Sequence, residues 1–203
     1  MQKNSSIKKV MTILFVVQFF TWLALFALWI YATPVFTKYI FHAGNLESSE
    51  YEKGIFWVSI CFAFYSVLAA SFAFALPKLS SVIGKWKLHG IALMIGAIGL
   101  LSIYFITRPT MLLFSFFFIG IAWSSISNIP YTIIGEVAPE NKMTYYFSVF
   151  NFSIVIPQAT AALLLGFITR NYFHGETLYT LVLGGISMMI AGVIMLVSPQ
   201  PLS

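Results

Sequence analysis

Apolar residues fill this chain in six long runs, and the polar positions inside them recur at helical spacing. Val10 to Tyr31 carries no charge and continues towards Ile40 past Pro34. Gly54–Leu76, Leu88–Thr107, Thr110–Ile134, Thr144–Thr169 and Leu178–Ser198 follow. Each run is near the ~20 residues that a bilayer core requires of a helix. In the first, Gln18, Trp22, Leu25, Trp29 and Thr33 repeat at steps of three and four, which places them on one face. Trp57, Cys61 and Tyr65 do the same in the second. In the fourth, Ser124, Ser127, Asn128 and Tyr131 share a face with Trp123 beside it, and in the fifth Asn151 and Gln158 superpose. The third and sixth runs show small residues instead, Ala92-Gly96-Gly99 and Gly184-Ser187-Ala191. Such stripes let membrane helices approach closely. The pattern predicts four helices around a path and two buttressing them.

The stretch from Asn128 to Gln158 has the strongest polar content. Two apolar arms flank a short charged turn, and each arm carries an amide, hydroxyls and a proline. A polar group facing hydrocarbon costs several kcal/mol, so these side chains should face protein or a wet cavity. Pro130 and Pro157 also withhold an N–H each, freeing the carbonyls of Ile126 and Ser153. Amides also serve as plain interhelical glue. The convergence of three amides and two prolines on adjacent helices favours the lining of a solute path.

Composition agrees with the pattern. The 203 residues are 60% hydrophobic and 8% charged, with mean hydropathy +0.91, where soluble domains are about 25% charged. The expected fold class is therefore an all-α integral membrane protein with six transmembrane helices: a cytoplasmic segment 1–9, a bundle 10–198 and a cytoplasmic tail 199–203. The first run is too long for a signal-peptide core and reads as an uncleaved helix. With the N-terminus inside, Lys3, Lys8, Lys9, Lys78, Lys85, Lys87 and Lys142 fall on the inner side. Lys38, Lys53, Arg108 and Arg170 fall outside, so both termini are expected in the cytoplasm of a cell-membrane protein. No basic cluster exceeds three residues, which argues against a nucleic-acid partner and leaves the lipid bilayer as the surroundings.

Little here suits an enzyme. Asp is absent, the six Glu lie in loops and turns, and Cys61 is the single cysteine. Glu136 and Glu140 flank Pro139 in the turn after the fourth run and read as a structural or gating salt link. His42, His89 and His174 read as interface residues, scattered in sequence and a poor metal set. No metal and no cofactor is expected. With no titratable group expected within the spans, any coupling carboxylate belongs elsewhere.

Gln18-Phe-Phe-Thr-Trp-Leu-Ala-Leu-Phe-Ala-Leu-Trp-Ile-Tyr-Ala-Thr-Pro34, Cys61-Phe-Ala-Phe-Tyr65, Gly120-Ile-Ala-Trp-Ser124, Ile129-Pro-Tyr131 and Asn151-Phe-Ser-Ile-Val-Ile-Pro-Gln158 together resemble the C-terminal half of a major-facilitator-superfamily carrier. The likeness runs from about residue 10 to residue 197 and is nearest to sucrose/proton symporters and the glycoside-pentoside-hexuronide group. It implies one six-helix half-bundle, corresponding to helices seven to twelve of a twelve-helix fold, with the ninth and twelfth outside the cavity. Ser81 and Val82 stand where the superfamily's loop motif has an acidic and a basic residue. The resemblance implies a sugar or glycoside as solute and a complementary N-terminal six-helix half as partner, which would supply proton coupling. Together the residues and the likeness give the expected solute-binding set: Gln18, Trp22, Trp29, Tyr65, Trp123, Ser127, Asn128, Tyr131, Asn151 and Gln158. The alternative is a self-contained six-helix structural or accessory subunit, which would not need a one-sided polar face.

Overall fold

The computed structural model describes the backbone of residues 2–199 and the side chains of residues 7–199. The side chain of Lys3 and the tail residues 200–203 lie outside the described residues. Six helices account for the fold: α1 Gln2–Val35, α2 Ser49–Ile83, α3 Lys85–Ser102, α4 Leu112–Val137, α5 Met143–Asn171 and α6 Thr177–Val197. All six are long and apolar enough to cross a membrane, and among the described residues there is no strand. Most helices overrun the hydrophobic runs that specify them. At 35 residues α2 is about 52 Å long, against a hydrocarbon core of about 30 Å.

Local chemistry explains the boundaries. Pro34 cannot donate within α1, and the helix loosens into a π-turn over Phe36–Ile40 before it ends. The Ser48 hydroxyl caps α2 by accepting from the Tyr51 N–H at 3.2 Å. Gly84 divides α2 from α3 at φ 85°, a backbone region costly for any residue with a Cβ. Pro139 leads into a short 3-10 turn, Glu140–Lys142, between α4 and α5.

Packing sorts the helices into two layers. The back layer is α3 against α6. In front, α1 packs on α6 and α4 on α3, and the two meet in the middle, with α5 beside α1 and α2 beside α4. The small stripes make these contacts close. A Cβ at Gly99 would fall 2.6 Å from the Ser115 carbonyl of α4, and one at Gly184 2.8 Å from Ala27 of α1. Ser187 donates to the Phe20 carbonyl at 2.8 Å. The stripes in α3 and α6 are thus packing surfaces, as the sequence suggested. The flanking helices α2 and α5 are the least enclosed, with exposed apolar side chains such as Val67, Phe74, Phe152 and Leu163.

One reading is corrected by the structure. His89 does not sit at an interface with water. It is the fifth residue of α3 and fully buried, its Nδ1 2.8 Å from the Ser125 hydroxyl of α4. A titratable side chain therefore does lie inside the bundle. Basic neighbours Lys85 and Lys87 made the position look peripheral. Its neighbours Trp86, Leu88, Gly90 and Ala92 are buried with it.

Candidate functional site

The ten expected site residues fall into two groups. The first lies where α1, α2 and α4 meet. Trp22, Trp29 and Trp123 form a closed triangle, with ring centroids 5.9 Å (22–29), 6.0 Å (22–123) and 5.7 Å (29–123) apart, all edge-to-face. Tyr65 joins from α2, 6.3 Å from Trp123. Each edge-to-face pair contributes about 0.5–1.5 kcal/mol beyond area burial. Trp29 and Trp123 are half-buried, whereas Trp22, Tyr65 and Gln18 are buried. Gln18 is 1% exposed, one turn before Trp22 on the same face of α1. Neither atom of its amide has a partner, nor has the Trp22 indole nitrogen.

An unpaired buried polar group costs about 1–3 kcal/mol. A ligand or water that completes the hydrogen bonds of Gln18 would offset that cost.

The second group lies on α4 and α5, two consecutive helices that touch sparingly. Ser127, Asn128 and Asn151 are exposed, while Tyr131 and Gln158 are half-buried. Tyr131 donates to Asn151 Oδ1 at 2.7 Å across the cleft, and its ring lies against Phe147 and Phe150. Asn128 turns back to the Ser124 carbonyl of its own helix at 2.8 Å, and Ser127 to that of Trp123 at 2.9 Å. The amides of this group therefore line an open surface of the bundle, and none is sealed among its neighbours. The two groups differ, the first aromatic and mostly enclosed and the second amide-bearing and open, and Ser127 on the Trp123 carbonyl joins them along α4.

Sequence reasoning missed the ties that hold these groups in place. Thr169 Oγ1 of α5 lies 3.0 Å from the Tyr31 hydroxyl of α1 and 2.6 Å from Thr180 Oγ1 of α6, all three side chains buried. Lys38 bonds both carboxylate oxygens of Glu176 at 3.0 Å, and Tyr39 bonds the same group. Isolated hydroxyls in apolar runs give no sign of their partners. At the other end, Lys85 pairs with Glu136, the salt link expected of that turn. A cavity of about 580 Å³ beside it is lined by Glu136, Pro139, Glu140 and Asn141. Among the described residues no three His, Cys or Glu come together as a metal site.

The family model described as Major Facilitator Superfamily matches residues 2–162. No curated protein matches the chain.

Proposed function

Because this chain belongs to the Major Facilitator Superfamily, whose members are membrane transporters, we propose that it is half of the wall of a sugar or glycoside carrier. The supporting observation is the polar content of the front layer: an indole triangle over an unpaired amide, beside an open cleft of amides and hydroxyls. Exposed Asn128 and Asn151 on membrane-length helices are costly against hydrocarbon, so water, solute or protein is expected to meet them. Indole faces suit the apolar face of a sugar ring, and amides suit its hydroxyls.

In this reading a second six-helix bundle closes the front, and solute binds between the two near the midplane. The second bundle contributes the carboxylate for proton coupling, since α1 and α5 carry no Glu and the one in α4, Glu136, stands in its last turn paired with Lys85. The face rich in lysine is cytoplasmic and the membrane is the cell membrane.

The test is sugar uptake into vesicles containing this chain with and without a complementary six-helix half. Uptake that needs both is expected. Proton-driven uptake by this chain alone would overturn the assignment of coupling, and no uptake of any sugar by the pair would overturn the solute class.

A further inference from the structure

His89 is the one histidine within the spans, and it stands in the back layer, away from the candidate solute wall. Most hydroxyls in these helices bond back to a carbonyl of their own helix, as those of Thr21, Ser66, Thr132 and Thr160 do. Ser125 instead reaches across from α4 to α3, its Oγ 2.8 Å from His89 Nδ1, and both side chains are fully buried. On the other edge of the ring Nε2 is enclosed without a partner. Whichever tautomer the ring takes, one nitrogen serves Ser125 and the other stays bare. The place of this tie matters. Towards the far end of the joint the two backbones are closest, with a Cβ at Gly96 falling 2.4 Å from Ala122, and Ser102 bonds Ser115 at 2.6 Å. Towards the lysine-rich end the next tie is Lys85–Glu136, at the surface, and Pro130 interrupts the backbone bonds of α4 between Ser125 and Glu136. The surroundings hold no free anion for the ring. On α3 itself Lys85 and Lys87 precede it by about one turn or less. On α4 the charged residue is Glu136, about three turns past Ser125 and paired with Lys85, while the Tyr131 hydroxyl is taken up by Asn151. Helix α6 carries no charge and its Tyr179 lies at the opposite end; α2, which touches α3 lightly, adds Lys78.

We propose that His89 is a proton-operated lock on the back of the bundle: neutral, it holds α4 to α3 through Ser125, and a proton taken up from the lysine-rich side opens that half of the joint. The proton fills the lone pair of the ring nitrogen that lacks one, so both nitrogens then donate. Ser125 Oγ accepts one N–H. The other N–H has no acceptor, and the new charge has no counterion. The closed joint therefore keeps the ring neutral, while the opened joint gives it to water, where a histidine charges below about pH 6.5. The open form binds the extra proton, so acid favours it, by up to about tenfold per pH unit. Because α4 also carries Ser124, Ser127, Asn128 and Tyr131, loosening its support from behind makes the lock an acid brake on whatever the front of the bundle does. The lock belongs to the back layer and holds whether or not the front face binds a sugar.

The test follows amide hydrogen exchange of the full chain in lipid nanodiscs from pH 8 to pH 5, with the intrinsic pH dependence of exchange divided out. The two exposed histidines, His42 and His174, are replaced by asparagine, which tolerates their positive φ, so that His89 is the one ring left to titrate. Opening of α3 over residues 86–95 is expected to rise up to about tenfold per pH unit below about 6.5. His89→Gln keeps a group that can bond Ser125 but cannot take up the proton, and should exchange at a rate independent of pH. Should that variant not fold, Ser125→Ala serves: it should open more at every pH and keep the acid slope. Glu136→Gln should also keep the slope, because ordinary carboxylates titrate below this range. A flat response in the parent protein, or an equal slope in His89→Gln, overturns the lock. Loss of the slope in Glu136→Gln moves the acid response to the surface salt link and overturns the assignment to His89. The nitrogen-15 signal of the single remaining ring gives a second reading. A ring that becomes charged at pH 5 while α3 still exchanges slowly overturns the lock as well.

Discussion

At the scale of single residues, Gln18 gives the clearest conflict between stability and use. Its amide is enclosed without partners, so replacing it by an apolar side chain of similar volume removes a cost. Gln18→Leu is expected to stabilise the protein by about 1–2 kcal/mol, a rise of roughly 2–6 °C in melting temperature. The same substitution should abolish solute binding. A fall in melting temperature would mean that the amide is a structural tie. The sequence placed Gln18 on the face of Trp22 and Trp29 through helical spacing. It did not distinguish the closed residues from the open ones, Gln18 from Asn151. Spacing reports which side chains share a face, whereas enclosure depends on how near the next helix comes.

Among helices, α3 and α6 were legible as packing elements because glycine and alanine at steps of three and four have one dominant use in lipid. The closeness they permit is large enough to test. Gly99→Leu would drive a side chain into the Ser115 carbonyl and part α3 from α4, costing about 1–3 kcal/mol in a thermal or denaturant melt. A neutral effect would mean that α3 sits farther from α4 than described. The position of α5 was less legible. It leans on α1 more than on its sequence neighbour α4, held by the Thr169 hydroxyl. Thr169→Val should cost about 0.6–1.7 kcal/mol and loosen α5, read as faster hydrogen exchange over its second half. His89 also belongs at this scale. Its burial follows from the close packing of α3 on α4 that the small-residue stripe permits, a consequence the sequence reading did not carry through to position 89.

For the whole molecule, family membership and six membrane-length helices agree with one half-bundle of a membrane transporter. The four polar-rich runs stand in front and the two small-residue runs behind, so the arrangement of layers was readable from composition run by run. The side-chain ties between helices were not, because they join residues far apart in the chain, such as Tyr31 with Thr169. The most direct measurement of the central claim is tryptophan emission of the chain in nanodiscs, titrated with a neutral glycoside. Three of the five tryptophans stand in one triangle at the expected site, so binding there must change the signal. Saturable quenching in the millimolar range, about −4 kcal/mol for a half-wall, is expected and is lost in Gln18→Leu. Emission indifferent to every neutral sugar would contradict it, as would quenching that survives Gln18→Leu unchanged.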